Sequence, residues 1–269
     1  MAKREKLSGE QRFEQYYGEI YGQRWPGLKE ALLKPTNPIS LSGSLIEPYY
    51  MDKASILAAS ILPISENNTV LDMCAAPGGK TLSIALRLGG KGSLVANDRS
   101  AARRNRLLTV IQTSLPEKLR ANIKVTGHDS TKWSLYEKNA YDRILLDAPC
   151  SSERHVLTDQ SALSIWSPNR PKLLAIQQFA MLASALDAAK AGGYILYSTC
   201  SICPLENELV IEKLYSKRKD LFEEIDMLKE HPELEKESEK LLHGRIVLPD
   251  AQDGAGPLYI CLIRKKIDE

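Results

Sequence analysis

The sequence predicts an α/β fold built on a mostly parallel sheet with helices on both of its faces. Short apolar runs alternate with segments whose apolar residues recur three and four positions apart, which is typical of β-α-β units. Polar residues follow the ends of these runs, and two glycines follow the first run where a helical segment begins. Because ligands bind at the carboxyl ends of parallel strands, we expect these residues to share one site.

The predicted strands are apolar runs, five in the middle of the chain and one near its end. They are residues 69–73, 92–97, 123–125, 143–146 and 193–197, and the alternating segment 257–266. The helical segments between them are residues 80–88, 101–114 and 171–190. The Glu-rich stretch over residues 222–240 is most simply a solvated helix or loop.

The first 60 residues differ from the rest of the chain in residue composition and in the spacing of their apolar side chains. Residues 11–33 carry aromatic side chains at helical spacing, and residues 34–44 are rich in residues that form turns. Residues 55–62 predict a further helix that ends at Pro63. We therefore predict a small N-terminal helical extension over residues 1–60 and a main α/β domain over residues 61–269.

Composition and charge are those of a soluble globular protein. The 269 residues are 43% hydrophobic and 26% charged, and the net charge of +2 gives no indication of a nucleic-acid partner. No run approaches the roughly 20 apolar residues that cross a bilayer, and Glu5, Glu10 and Glu14 oppose a mitochondrial presequence. We expect a cytoplasmic protein with no membrane partner, whose five widely spaced cysteines are free thiols.

The loop after the first predicted strand suits a ligand-binding role. Residues 74–81, CAAPGGKT, open directly into a helix, and they match neither a phosphate-binding P-loop nor a dinucleotide glycine pattern. Asp98 ends the second strand 20 residues after Gly78, where an acid commonly accepts hydrogen bonds from a ribose. These features favour an adenosine-containing ligand without a polyphosphate over the alternative, a turn with a surface acid.

Acids and thiols follow the later strands. Asp129 follows the third strand, Asp147 and Cys150 follow the fourth, and Cys200 follows the fifth. A thiol at the binding edge can act as a nucleophile if nearby cations or a helix N-terminus lower its pKa, whereas a buried structural cysteine is the alternative. The pair Cys200 and Cys203 is disfavoured as a redox motif, because thioredoxin-like proteins are far shorter and carry such a pair near their first strand. It is disfavoured as a zinc motif, because the chain has no second closely spaced pair.

Three motifs together resemble those of the Sun-type RNA cytosine-5 methyltransferases. They are DMCAAPGGKT followed by Asp98, DAPC with Cys150, and YSTCS with Cys200, within a resemblance over residues 45–266. The resemblance implies a Rossmann-like class I methyltransferase fold with a mostly parallel, seven-stranded sheet. It also implies S-adenosylmethionine as the cofactor and RNA as the substrate.

Other details of the sequence are similar to one branch of that family. The family commonly has Pro-Cys-Ser-Gly-x-Gly where residues 149–155 read PCSSERH. This variant, Trp25-Pro26 and residues 256–259 resemble the branch that holds the mitochondrial ribosomal-RNA enzyme and its transfer-RNA relative. The resemblance favours ribosomal RNA as the substrate, with transfer RNA as the alternative. We expect a monomer and leave a need for an accessory protein open.

Two further classes of function compete with this interpretation. A small-molecule or protein methyltransferase could use the same fold and cofactor loop, but the two cysteine motifs oppose it. A catalytically silent RNA-binding or ribosome-assembly factor is opposed by the presence of Cys150, Cys200 and Asp147.

The resemblance also assigns the site residues. The cofactor-binding residues would be Cys74, Ala75, Ala76, Pro77, Gly78, Gly79, Lys80, Asp98, Arg103, Asp129 and Asp147. Among them, Asp98 would hold the ribose hydroxyls and Asp129 would contact the adenine end. Cys200 maps to the nucleophile and Cys150 to the cysteine that assists product release, while Asp147 would lie between cofactor and base. No metal ligand is expected.

The implied reaction requires that a thiolate reach the target base. A thiolate that adds at cytosine C6 makes C5 nucleophilic enough to accept a methyl group, and the base has to leave its stack to be reached. Trp166 and Tyr197 are candidates to stack on the base, although ordinary packing is the favoured interpretation. We expect the polar segment over residues 151–170, with Arg154 and Arg170, to be a loop that contacts RNA.

Overall fold

A computed structural model describes residues 7–252 and 254–267, which form eleven α-helices and eleven strands. The helices are α1 (Gly9–Tyr21), α2 (Trp25–Leu33), α3 (Lys53–Ile61), α4 (Gly79–Leu88), α5 (Ala101–Ser114), α6 (Glu117–Arg120), α7 (Glu153–Thr158), α8 (Gln160–Ser164), α9 (Asn169–Ala188), α10 (Glu208–Arg218) and α11 (Leu234–Glu237). The strands are β1 (Ile39–Ser40), β2 (Tyr50–Met51), β3 (Thr69–Asp72), β4 (Ser93–Asn97), β5 (Ile123–Thr126), β6 (Tyr141–Asp147), β7 (Ala189–Thr199), β8 (Phe222–Glu224), β9 (Glu239–Lys240), β10 (Arg245–Val247) and β11 (Leu258–Lys265).

One large sheet organises the molecule. Its strands lie in the order β5-β4-β3-β6-β7-β11-β10-β9, and β8 pairs with β11 beside this path. From β5 to β7 all neighbours are parallel, whereas β11 is antiparallel to β7. The chain moves outward from β3 to β5 and then returns to β6 on the other side of β3. Such a reversal of strand order leaves a crevice at the carboxyl ends of the strands.

Helices cover both faces of this sheet, as the apolar pattern predicts. Along β6, Ile144 and Leu146 belong to one buried core with α1, α2, α9 and α10. Leu145 between them belongs to a second core with α3, α4 and α5. This alternation follows from the two-residue period of a strand. The predicted α/β architecture is therefore confirmed.

The six predicted strands and the three predicted helices between them are all present, with bounds that shift by a few residues. Among residues 7–252 and 254–267, no helix has both the length and the apolar character needed to span a membrane. The predictions for residues 1–6 and for the last two residues fall outside the described part of the chain.

The sheet has nine strands instead of the expected seven, because a short hairpin adds to its edge. Residues 263–265 of β11 pair with β8, and residues 258–260 of the same strand pair with β10. Six of the seven expected strands were located in the sequence and are β3–β7 and β11; β8 is a seventh that was not located, and β9 and β10 are the additions. The Glu-rich stretch was expected to be a helix or loop, yet β8 and β9 lie within it. Strands of two or three residues are too short to show an alternating pattern.

The N-terminal helices pack on the α9 side of the sheet through aromatic side chains. Phe13 is fully buried, and its ring centroid lies 4.6 Å from Tyr17, 5.1 Å from Trp166 and 5.9 Å from Trp25. The helix begins with a capping box in which Ser8 and Gln11 satisfy each other's backbone N–H groups. These contacts join α1 and α2 to the core that contains α9. The boundary near residue 60 stays a prediction.

Replacement of Phe13 by alanine should destabilise the protein by about 3–5 kcal/mol, because it leaves a cavity among buried aromatic rings. Denaturant unfolding followed by far-UV circular dichroism measures this free energy. Leu173→Ala is the matched control, since Leu173 is 66% exposed on α9 and its truncation should cost little. Equal losses in the two variants would contradict the aromatic core as the anchor of α1.

Candidate active site

Three adjoining cavities open at the carboxyl ends of the central strands. The Asp98 cavity has a volume of about 370 Å³ and is lined by Asp98. The loop cavity, about 220 Å³, lies over residues 74–80, and the thiol cavity, about 400 Å³, is lined by Cys200. Cys74 lines the first two cavities and Asp147 lines the last two. The cavities therefore form a continuous trough along the predicted binding edge.

The glycines of the 74–80 loop are required by its shape. Gly78 has φ +126° and forms the N-cap of α4, and a Cβ there would lie 2.9 Å from Val110. A Cβ on Gly79 would lie 2.8 Å from the Tyr49 ring and 2.9 Å from the Met51 side chain. The backbone can thus pass close to the loop cavity, where the first N–H groups of α4 have no partner within the helix.

Asp98, Arg103 and Asp129 line the first cavity together, as predicted. Asp98 is 5% exposed, accepts a hydrogen bond from the Ser100 N–H at 2.9 Å, and lies 3.3 Å from Arg103 Nε. Asp129 accepts hydrogen bonds from the Thr131 hydroxyl at 2.8 Å and from its N–H at 3.1 Å. The hydroxyl bond is the main cause that lowers the pKa of Asp129. Both acids are therefore held in fixed orientations at the cavity wall.

Asn97, which sequence reasoning missed, fixes the strand ends around this cavity. Its buried amide donates to the carbonyl oxygens of Met73 and His128 and to the Ser130 hydroxyl, all at 3.1 Å. Its oxygen accepts the His128 N–H at 2.8 Å and the Thr126 hydroxyl at 2.9 Å. One side chain thereby joins the ends of β3, β4 and β5. An amide at the end of an apolar run was the signal available in the sequence.

A half-buried ion pair lies between the loop cavity and the thiol cavity. Lys80 Nζ is 2.8 Å from Asp147 Oδ2, and the Ser198 hydroxyl donates to Asp147 Oδ1 at 3.0 Å. Burial opposes the charge of Lys80, but Asp147 outweighs it and raises the pKa of the lysine. Beneath them, burial raises the pKa of Asp72 to about 7, although a hydrogen bond from Thr81 favours the ionised form.

The two strand-end thiols meet at the far end of the trough. Cys200 is exposed as a whole residue, but its Sγ is partly withdrawn from solvent, 2.9 Å from Cys150 Sγ and 3.4 Å from the Ser152 hydroxyl. The hydrogen bond from Cys150 is the main cause that lowers the pKa of Cys200, and Ser152 adds to it while burial opposes it. The same bond and burial raise the pKa of Cys150. The arrangement thus favours a thiolate on Cys200 and a thiol on Cys150.

The two aromatic candidates for base stacking belong to the core. Trp166 is 2% exposed and packs against Phe13, and Tyr197 is fully buried with its hydroxyl donating to the Glu206 carbonyl oxygen at 2.6 Å. Ordinary packing, the favoured interpretation, is therefore confirmed. Cys203 is also buried, with its sulfur 3.3 Å from the Tyr16 hydroxyl, and does not share the exposed position of Cys200.

The expected RNA-contacting loop is wrong in form, and so is the expected role of Arg154. Residues 153–164 form α7 and α8, and α9 begins at residue 169. The Arg154 guanidinium donates to the carbonyl oxygens of Leu32, Lys34, Gly254 and Gly256 at 2.7–2.8 Å. These bonds engage both terminal nitrogens of Arg154 within the protein, because the chain brings distant carbonyl groups around them. Arg170 remains exposed at the start of α9.

Replacement of Cys150 by alanine should slow alkylation of Cys200 at pH 7 by about tenfold, because loss of the S–H donor raises the pKa of Cys200. Cys150→Ser keeps a donor beside Cys200 and should lose less. The measurement is the rate of iodoacetamide modification of the Cys200 peptide against pH, followed by mass spectrometry. A midpoint for Cys150→Ala at or below that of the parent protein would contradict the thiolate assignment.

Comparison with known proteins places this site in a family. The family model described as 16S rRNA methyltransferase RsmB/F matches residues 59–264. The 5-cytosine rRNA methyltransferase NSUN4 of Bos taurus is 36% identical over 239 residues, which cover 81% of this chain and 59% of that protein. The chain thus spans about three-fifths of the length of such relatives. NSun6 from Pyrococcus horikoshii, solved with SFG, has a TM-score of 0.64 and 26% identity over 82% of this chain and 54% of its own.

The expected cytoplasmic location is contradicted by a relative whose name places it in the mitochondrion. A zebrafish relative, 33% identical over 83% of this chain and 62% of its own, is named tRNA (cytosine(34)-C(5))-methyltransferase, mitochondrial. The expectation came from the first residues of the sequence, and these carry no information about a leader when the chain spans only part of its relatives. The resemblance drawn from the three motifs is confirmed: the chain belongs to the RsmB/F methyltransferase family.

Proposed function

We propose that this protein is an RNA cytosine-5 methyltransferase that uses S-adenosylmethionine and forms a covalent bond between Cys200 and cytidine C6. The observation that carries the proposal is the pair of thiols 2.9 Å apart, with a lowered pKa for Cys200, at the end of a trough that also holds Lys80 and Asp147. A thiolate is the form that adds to an electron-poor carbon.

The residues of the trough fit S-adenosylmethionine. Asp98 at the Asp98 cavity would accept hydrogen bonds from the ribose, and Asp129 with Arg103 would flank the adenosine end. Because residues 78 and 79 are glycines, the amino-acid end of the cofactor could approach the backbone closely in the loop cavity. When bound, the cofactor supplies an electrophilic methyl group on a sulfonium. Asp147 would then stand between the cofactor and the base, since it lines both the loop cavity and the thiol cavity.

The thiol cavity can activate a cytosine. The Cys200 thiolate would form a bond to C6, which turns C5 into an enamine-like carbon able to take up the methyl group. Asp147 accepts hydrogen bonds from Lys80 and Ser198 and retains lone pairs for the exocyclic amine of the base. It would thereby orient the ring. The electron pair displaced by the bond to C6 moves toward N3, and the Lys80 ammonium, which also lines the thiol cavity, would offset the negative charge that develops there.

Product release requires a second group. After methyl transfer the C5 proton must be removed, and its electron pair forms the C5–C6 double bond as the bond from C6 to Cys200 breaks. Cys150 lies within hydrogen-bond distance of both Cys200 and Ser152, so it is the candidate to assist this step as a base or through Ser152. The two cysteines would then have separate roles.

Ribosomal RNA is the substrate class that we propose, because the family description and the NSUN4 relatives name it. Transfer RNA is the second candidate, on the strength of the zebrafish relative. A silent RNA-binding factor is opposed by the presence of Cys200 with Asp147 in the thiol cavity and of Cys150 2.9 Å from Cys200. A monomeric state and the help of an accessory protein stay predictions.

Purified protein incubated with methyl-labelled S-adenosylmethionine and unmodified RNA should produce labelled 5-methylcytidine, because the site can activate cytosine C5. Cys200→Ala should lose at least about a thousandfold in rate, since it removes the thiolate that would form the bond to C6. Cys150→Ala should form the adduct but release it slowly, so a protein–RNA species should accumulate on a denaturing gel. The nucleoside is identified after nuclease digestion, and ribosomal and transfer RNA are assayed as separate fractions. Label in 5-methylcytidine that persists in Cys200→Ala would refute Cys200 as the nucleophile.

Asp98→Asn should weaken binding of S-adenosylhomocysteine by about tenfold, because the charged acceptor for the ribose is lost. The amide still accepts the Ser100 N–H bond, so the local turn should survive. Isothermal titration calorimetry measures the affinity, and Glu66→Gln, an exposed acid that pairs with Lys91, is the control. An unchanged affinity in Asp98→Asn would remove Asp98 from the cofactor site.

A further inference from the structure

Two buried glutamates, Glu153 and Glu206, lie beneath the loops that carry the thiols. Each glutamate bonds to the loop that precedes the other one. Glu153 directly follows the Cys150 loop, residues 148–152. It nevertheless accepts hydrogen bonds from the Cys200 loop, residues 200–203: from the Ser201 hydroxyl at 2.9 Å and from the Ile202 N–H at 3.1 Å. Glu206 follows the Cys200 loop, yet it accepts the Ser151 N–H of the Cys150 loop at 2.9 Å. Both carboxyl groups are fully buried. Each loop is therefore held by an acid that belongs to the other.

The number of protons available for these hydrogen bonds assigns different protonation states to Glu153 and Glu206. Glu153 faces donors on both oxygens: the Tyr17 hydroxyl at 2.5 Å, the Ser201 hydroxyl and the Ile202 N–H. Ser201 has one proton, and its contact of 2.9 Å with Glu153 is shorter than its contact of 3.2 Å with Glu206. If Ser201 donates to Glu153, the contact with Glu206 requires a proton on Glu206.

The electrostatics agree with that assignment. Burial first, and then the charge of Glu153, raise the pKa of Glu206 to about 7. Burial also raises the pKa of Glu153, but several hydrogen bonds donated to its carboxylate oppose the shift. A chain of bonds from Glu206 through Ser201 to Glu153 then carries a single negative charge. Such a shared arrangement leaves no buried donor or acceptor of the three groups unpaired.

We propose that Glu153, Ser201 and Glu206 form a clamp that positions Cys200 against Cys150 for the thiol chemistry of the proposed function. The inference rests on that function for its purpose, but the geometry of the thiols can be tested without it. These three are positioning residues, because they act through the loops and line none of the three cavities.

The N-terminal helix α1 closes over this clamp. Tyr17 donates to Glu153, and Tyr21 donates to the Ile202 carbonyl oxygen at 2.6 Å. The Tyr16 hydroxyl lies 3.3 Å from Cys203 Sγ, two residues further along the Cys200 loop than Ser201. The helix thus excludes water from the acids and fixes the Cys200 loop from its buried side.

The two acids should respond differently to the same substitution. In Glu206→Gln, the amide oxygen can accept the Ser151 and Gln178 N–H groups while the amide nitrogen donates to Ser201, as the protonated acid does. In Glu153→Gln, the new side-chain amide has one oxygen and one nitrogen, but donors face both positions. It must leave either the Ile202 N–H or the Tyr17 hydroxyl without an acceptor in the buried site.

Phenylarsine oxide measures the thiol geometry directly, because one arsenic binds two adjacent thiols and releases one water. We expect Glu153→Gln to weaken this bridging by about tenfold and to lower kcat by about tenfold, with the KM for S-adenosylmethionine little changed. Glu206→Gln should stay within about threefold of the parent protein in both measurements. Cys150→Ala should abolish bridging and so identifies the thiols that are measured.

Two further variants keep the test decisive. Asp142→Asn is the matched control, because Asp142 also accepts a backbone N–H and a lysine but lies at the opposite end of β6. Ser201→Ala removes the hydroxyl between the two acids and should reproduce the loss of Glu153→Gln if that variant does not fold.

The outcomes separate the clamp from the proposed function. Bridging that stays within about threefold in both Glu153→Gln and Ser201→Ala would overturn the clamp, whatever the methylation assay gives. Equal losses in Glu153→Gln, Glu206→Gln and Asp142→Asn would also overturn it, because they would reflect general destabilisation. A parent protein that methylates no RNA, but whose bridging falls in Glu153→Gln alone among the three, would support the clamp and refute the function.

Discussion

The parallel register between β6 and β7 is the constraint on which the site depends. Asp147 lies opposite Ser198 in this register, so Cys150 and Cys200 leave the sheet side by side a few residues later. A slip of one residue would turn one strand over and move its apolar side chains to the wrong face. Ile144 and Leu146 occupy one core while Leu145 occupies the other, so such a slip would damage both. The burial that stabilises the sheet therefore also sets the distance between the thiols.

A single lysine balances much of the negative charge at this edge. Lys80 bonds to Asp147, and its pKa is raised by that acid and, to a smaller extent, by the charge of Cys200 and Asp72. The attraction is mutual, so Lys80 also favours the thiolate of Cys200. Lys80 directly follows Gly79, a position where a Cβ would clash with Tyr49 and Met51. The same loop that makes room for a ligand thus places a cation near the thiol.

The sequence predicted those features that depend on local pattern. The strands and helices follow from apolar periodicity, and Asp98, Asp129, Asp147, Cys150 and Cys200 follow from their places after strands. Arg154 was misjudged because its carbonyl partners lie more than 90 positions away in the chain. Asn97 was missed although an amide at the end of an apolar run could have indicated it, and Glu153 and Glu206 were missed because a buried acid reveals its role only when the groups packed around it are known. The hairpin of β9 and β10 was missed because its strands are too short to carry a pattern.

The aromatic packing of α1 and the geometry of the thiols are linked through one residue. Tyr17 is fully buried, stacks on Trp25 with ring centroids 5.3 Å apart, and donates to Glu153. The Tyr17 ring packs in the core, and its hydroxyl bonds to Glu153 of the clamp. The free energy that holds α1 in place is therefore coupled to the free energy that orients the Cys200 loop. By linkage, a ligand or partner that stabilises the packing of α1 also stabilises the arrangement of the thiols, and a bound base that stabilises the thiols stabilises α1 in turn. The N-terminal helices therefore act as part of the site although they contribute no side chain to the thiol pair.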